Sequence, residues 1–245
     1  GVATLEIARP EKKNAITQAM YQAMADALRA ADADKTVRAV LITGQPGIFT
    51  SGNDLEDFMA GPVRGEDAPT FQFMHALVDC SKPVVAAVTG AAIGIGTTML
   101  LHCDFVFVAD EARLAMPFVG LGLVPEFASS VVVPQLMGNV RAAEKLLLGD
   151  PFTGEQAVEC GIANRVLPGS EVLNHARRVA ERFNTLAPGA VRDSKKLIRD
   201  PQREAVKAAV TREAQIFGAR LRSPEAMEAF QAFFQKRAPD FSKFE

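Results

Sequence analysis

Short apolar runs alternate with amphipathic stretches along the first two thirds of this chain. Val2, Leu5 and Ile7 alternate with polar positions as a strand does, and Arg9-Pro10 closes the run. Thr17 stands as an N-cap, after which Ala19, Met20, Ala23, Met24, Ala27, Leu28 and Ala31 recur at helical spacing. Val37 to Thr43 reads as a buried strand ended by Gly44, with Pro46-Gly47 as a turn. The pattern then predicts a helix over Pro69 to Cys80 and a strand over Val84 to Val88. A glycine-rich segment from Gly90 to Gly96 follows, then a helix from Thr97 to Cys103 and a short apolar strand from Phe105 to Ala109. Strands alternating with helices predict an α/β core rather than a bundle or a sandwich.

Beyond Ser129 the helical period takes over. Helices are expected over Ser129 to Met137, stopped by Gly138, over Val140 to Leu148, stopped by Gly149, and over Thr153 to Cys160. The last opens on the capping-box pattern Thr153-Gly154-Glu155-Gln156. One more strand is expected over Ala163 to Leu167. After Glu171 the chain reads as helix punctuated by Pro188-Gly189, Pro201 and Ser223-Pro224. A boundary near Leu186 separates a core unit, 1–186, from a helical C-terminal unit, 187–245. No fixed-period repeat or low-complexity segment is visible.

Charge sharpens this picture. The 245 residues hold 27 Lys+Arg and 29 Asp+Glu, a formal net charge of −2, without the basic block that nucleic acid or an anionic membrane would require. Two stretches fall far below the average charge density: Pro83 to Cys103 has no Lys, Arg, Asp or Glu, and between Arg113 and Arg141 only Glu126 is charged. The first is long enough to be weighed as a membrane helix, but Pro83, Gly90, Gly94 and Gly96 favour a buried strand followed by a buried helix. Cys80, Cys103 and Cys160 show no paired spacing, and His75, His102 and His175 no ligand cluster, so reduced thiols and no metal are expected. With no secretory signal and no peroxisomal tripeptide in Ser242 to Glu245, the expected location is cytoplasmic.

Three segments carry candidate chemistry. Gly94-Ile95-Gly96 lacks the third glycine of a dinucleotide fingerprint, Met99 standing there, and no Walker lysine follows. Its glycines serve either tight strand–helix packing or the presentation of free N–H groups to an oxygen that becomes negative during reaction. In Ile48 to Leu55, Ser51 lacks a nucleophile frame, Asn53 follows Gly52, and Asp54 can cap the turn after it. Glu126 lies among Leu121, Leu123, Val124, Pro125, Phe127, Ala128, Val131, Val132 and Val133. A carboxylate in that company stands at a loop tip facing water or inside an apolar pocket. Inside, desolvation raises its proton affinity and prepares it to take and return a proton near neutral pH.

Taken in order, several segments resemble the crotonase, or enoyl-CoA hydratase/isomerase, superfamily. They are Arg9 to Ile16, Phe49 to Leu55, Lys82 to Gly90, His102-Cys103-Asp104, Phe152 to Ala157, Gly161 to Val166 and Lys236 to Phe241. The resemblance implies a spiral of ββα units with a helical C-terminal region used for assembly into a homotrimer or a dimer of trimers. It implies acyl-CoA thioester substrates, no cofactor beyond the coenzyme A of the substrate, and an oxyanion hole made by two backbone N–H groups. Matched by position, these are Asn53 and Ile95. Ser51, Gly52, Asp54, Leu55, Gly94, Phe118, Leu121 and Phe127 would line the substrate, with Val131 beside them. Lys12, Lys13 and Lys236 would receive the CoA phosphates.

The two glutamates of the hydratases fall on Thr98 and Phe118 here, which cannot exchange a proton as a carboxylate does. Glu126 instead is similar to the single glutamate of the peroxisomal-type Δ3,Δ2-enoyl-CoA isomerases, enzymes of fatty-acid β-oxidation. The implied function is conversion of 3-enoyl-CoA to trans-2-enoyl-CoA through a dienolate, with Glu126 as sole acid/base. Another crotonase-type hydratase or hydrolase and a non-catalytic acyl-CoA-binding trimer are the alternatives. Phe71, Met74 and the segment Asp57 to Pro69 are expected to set the depth of the acyl pocket.

Overall fold

A computed structural model describes residues 1–60 and 67–244. Each early unit contributes one strand to a large sheet, one to a small sheet, and then a helix. After β1 (Val2–Glu6) and α1 (Gln18–Ala33), the first full unit is β2 (Ala39–Thr43), β3 (Ile48–Thr50), α2 (Leu55–Ala60) and α3 (Pro69–Asp79). The second is β4 (Val84–Val88), β5 (Ala91–Ile93) and α4 (Ile95–Thr98), extended by a 3₁₀ turn over Met99–His102. The third is β6 (Phe105–Ala109), β7 (Arg113–Ala115), α5 (Ser129–Met137) and α6 (Asn139–Ala143), followed by a π-helical turn over Glu144–Leu148. β8 (Phe152–Thr153), α7 (Gly154–Glu159), β9 (Arg165–Leu167) and α8 (Gly169–Arg182) complete the core, and α9 (Pro188–Arg220) and α10 (Pro224–Phe234) end the chain. This is the expected ββα spiral with a helical C-terminal region.

The large sheet is all parallel, in the order β1-β2-β4-β6-β9. Every residue of β2 and β4 is buried, as strands covered on both faces must be, and this is why their sequences read as unbroken apolar runs. The small sheet runs β3-β5-β7-β8, with only β8 antiparallel. Its strands are two or three residues long, too short to show a period of two, so β3, β5, β7 and β8 were not expected from the pattern. The uncharged stretch from Pro83 is thus β4, β5, α4 and a turn. Among the described residues no helix is long and apolar enough to cross a membrane.

Three expectations need correction. The buried stripe of α1 is Tyr21, Met24, Ala25, Leu28 and Ala31, while Ala19, Ala23 and Ala27 face water. Alanine is too small to fix the phase of a stripe, and the aromatic body of Tyr21 does so instead. The helices expected over Thr97 to Cys103 and Val140 to Leu148 each divide, the first into α4 and a 3₁₀ turn, the second into α6 and a π turn. Pro201 does not end a helix; α9 runs through it for 33 residues, at a position exposed to solvent where the lost backbone bond is cheapest. Of the segment Asp57 to Pro69, residues 57–60 belong to α2, and 61–66 lie outside the described residues.

α9 is fastened to the sheet by Asp104. Its carboxylate accepts from the Val84 N–H at 2.9 Å and pairs with Lys195 at 2.7 Å and Arg199 at 3.1 Å, while Lys195 Nζ also donates to the Lys82 carbonyl. That anchorage sets where α9 passes the residues described next.

Candidate active site

Two backbone N–H groups are left free at the ends of short small-sheet strands. After β3, Ile16 forms a parallel bridge with Asn53: its N–H donates to the Gly52 carbonyl and its carbonyl accepts from the Asp54 N–H. Successive N–H groups of a strand point to opposite edges, so the N–H of Asn53 faces away from Ile16. After β5, Gly94 turns at φ 58° and Ile95 opens α4, where the first N–H groups of a helix have no internal partner. Among the described residues neither N–H donates a hydrogen bond. The second turn is fixed on both sides: the Gly94 N–H donates to the Ala115 carbonyl, and Thr97 Oγ1 donates to the Ala92 carbonyl. A Cβ on Gly96 would meet Thr50 Cγ2 at 2.6 Å, so the close approach of α4 to β3 requires glycine there. The Asn53 side chain accepts from the Tyr21 hydroxyl at 2.5 Å.

Glu126 lies inside, 6% exposed, with Thr98 Oγ1 donating to its Oε1 at 3.4 Å. Burial, and secondarily the charge of Glu213, push its pKa up to about 8, while the Thr98 bond opposes them. The next two residues, Phe127 and Ala128, are both left-handed, at φ 56° and 57°. Such backbone costs a non-glycine residue on the order of 1 kcal/mol. Two hydrogen bonds to one carboxylate offset this: Glu213 of α9 accepts from the Ala128 N–H at 2.6 Å and the Ser130 N–H at 2.9 Å, each bond contributing about as much or more. The Phe127 carbonyl accepts from His102 Nε2 at 2.8 Å, and the two rings stack at 4.1 Å. Because the partner is a carbonyl, Nε2 carries the proton. Burial drives the His102 pKa down to about 4, so the ring is neutral.

These groups border two neighbouring cavities that share Phe217 as a wall. The larger, about 720 Å³, is lined by Ser51, Gly52, Asn53, Asp54, Leu55, Gly94, Ile95, Phe118 and Leu121, with Lys12 and Lys13 also on it. The smaller, about 230 Å³, is lined by Glu126, Phe127, Phe71 and Met74 among others. Val131 packs against the core and lines neither, and Lys236, exposed two residues past α10, lines neither, although Phe233 and Phe234 just before it line the larger cavity. Asp54 is engaged structurally. Although burial alone would raise its pKa, the Asp57 N–H and the Arg9 guanidinium hold it below the usual carboxylate range.

Four contributors were not singled out from sequence. Tyr21 was identifiable in principle as the only tyrosine of the chain. Asn14 ties the loop before α1 to β3 through Phe49, Ile48 and Thr50, and its φ of 55° is a conformation that asparagine tolerates. From sequence, His102 enters only as a possible metal ligand and as part of the His102-Cys103-Asp104 segment of the resemblance, not as a support for Glu126. Glu213, more than eighty positions from the loop it holds, left no local signal. The C-terminal helices also reach the site, since Phe217 and Phe230 line the larger cavity.

The family model described as "Enoyl-CoA hydratase/isomerase" matches residues 1–243. The chain belongs to the enoyl-CoA hydratase/isomerase family. It is 35% identical over 243 residues to enoyl-CoA delta isomerase 2 of Rattus norvegicus, a match covering 97% of this chain and 62% of that protein. The chain therefore spans less than two thirds of that relative's length. It is 30% identical over 241 residues to 2,3-dehydroadipyl-CoA hydratase of Escherichia coli, covering 98% of this chain and 94% of the relative. Among solved structures, OdaA of Pseudomonas aeruginosa superposes with a TM-score of 0.93 at 53% identity, over 95% of each chain. The crotonase fold follows from these matches, and the relatives they name include isomerases and hydratases alike.

Proposed function

We propose that the protein isomerises 3-enoyl-CoA to trans-2-enoyl-CoA with Glu126 as its only proton carrier. The observation that carries this is the isolation of one carboxyl in apolar surroundings, with Thr98 donating to it and Phe118 in the cavity wall at the two positions where hydratases of this family carry glutamates. The thioester oxygen accepts from the N–H groups of Asn53 and Ile95. Ionised Glu126 takes a proton from C2, the charge passes to the thioester oxygen as a dienolate, and those donors hold it. Glu126 then returns the same proton at C4. Lys12 and Lys13 at the edge of the larger cavity receive the CoA phosphates.

Similarity to a hydratase favours hydration as a second reading. Hydration needs a further group to handle the proton of water, and the carboxylate whose charge reaches Glu126, that of Glu213, already has both oxygens on backbone N–H groups. A 3-enoyl and a 2-enoyl thioester offered separately distinguish the two. Conjugation should appear from the first and persist in the second. Glu126→Gln should lower isomerisation by at least about 10³-fold while leaving thioester binding nearly unchanged. Full activity in that variant would end the proposal.

A further inference from the structure

The turn that carries Glu126 holds a conformation its own residues disfavour. Phe127 and Ala128 are consecutive left-handed residues, neither of them glycine, and Ala128 precedes α5 without a side chain able to cap it. Both oxygens of Glu213 are spent on this turn, through the Ala128 and Ser130 N–H groups, and Glu213 is itself only 4% exposed. It sits on α9, which Asp104 fixes to the sheet at Lys195 and Arg199. A buried carboxylate is an expensive cap for a helix, and a serine or asparagine at 128 would supply one locally. What a distant carboxylate adds is a fixed distance between a rigid helix and the Glu126 turn, together with a negative charge beside Glu126.

We propose that Glu213 is a positioning residue for Glu126: it holds the left-handed turn that aims the Glu126 carboxyl into the cavity. His102 secures the same turn from the other side through the Phe127 carbonyl. The charged and titratable groups around Glu126 are Tyr21 on α1, His102 after α4, Glu213 on α9 and Arg222, which lines the same cavity past the end of α9. Of these Glu213 is the other carboxyl; burial raises its pKa, and the hydrogen bonds from Ser130 and Ala128 oppose that rise. The inference rests on the reading of Glu126 as the proton carrier, although the titration below does not depend on it.

Glu213→Gln keeps the shape but offers one acceptor oxygen where two N–H groups require two. Two quantities are read on the full chain: the titration of the Glu126 carboxyl, by infrared spectroscopy with Glu126→Gln as the reference that removes its band, and kcat and KM on a 3-enoyl thioester. In Glu213→Gln the Glu126 midpoint should move down, while burial keeps it above the ordinary carboxylate range. The acid limb of the rate profile should move with it, and kcat should fall about 10²-fold with KM within about threefold. Adding Ala128→Gly, which adopts the left-handed turn without a clamp, should restore at least part of kcat but leave the midpoint low. If Glu213→Gln does not fold, Glu213→Gln with Ala128→Gly carries the same titration test. An unchanged midpoint and unchanged kcat in a folded variant would overturn the proposal. A lowered midpoint in a protein that turns over no 3-enoyl thioester, wild type included, would reject the isomerase reading and support the positioning role.

Discussion

In the proposed reaction Glu126 concentrates the chemistry in one carboxyl group, and its environment fixes two pH dependences. As a base it must be ionised, so kcat/KM on a 3-enoyl thioester should rise with pH and reach half its plateau near pH 8, the folded pKa. Stability runs the other way. A carboxyl whose folded pKa lies above its unfolded value makes the folded state bind more protons between pH 4.5 and about 8, so its contribution is lost as pH rises through that window. Glu126→Gln should therefore be more stable than the wild type at pH 9, by at most roughly 5 kcal/mol, and the gap should shrink toward pH 4. Urea denaturation at the two pH values measures it, and an equal gap at both would show that Glu126 is not held in a desolvated site. His102 has the opposite sign: its folded pKa of about 4 makes stability fall as pH drops from 6.5 toward 4.

Among the elements, α9 does the work that links sheet to site. It is anchored by the Lys195 and Arg199 pairs with Asp104, passes Val210 and Phe217 along the cavities, and places Glu213 under the Glu126 turn. Asp104→Asn would leave the Lys195 and Arg199 charges without their anion at a site where Lys195 is buried. Such losses cost about 3–5 kcal/mol, and the midpoint of chemical denaturation should fall accordingly. The same elements show what the sequence could and could not convey. β2 and β4 were legible because burial on both faces writes an unbroken apolar run, and Thr17 and Thr153 were legible as caps because their partners lie three residues on. The small sheet was not, because three-residue strands gain their identity from neighbours brought in from elsewhere in the chain. Glu126 stood out as one charge in an apolar stretch. Glu213 did not, because an acidic residue on a polar helix looks like a solvated one until the turn it caps is in place.

At the scale of the whole molecule, two charge-poor stretches converge. The first supplies the free N–H at Ile95, the second isolates Glu126, and in a chain of net charge −2 the proposed anionic substrate would be received by local cations such as Lys12 and Lys13, which line the larger cavity. The C-terminal helices, expected to serve assembly, also wall the cavities. Burial of the Glu126 carboxyl limits its exchange with solvent while it carries the abstracted proton. The most direct measurement is turnover of a 3-enoyl-CoA carrying deuterium at both C2 positions, in ordinary water, with the product analysed by mass and NMR. A product with one deuterium at C2 and the other largely retained at C4 is the predicted result. A product with C4 protonated entirely from solvent would contradict proton transfer by Glu126 alone.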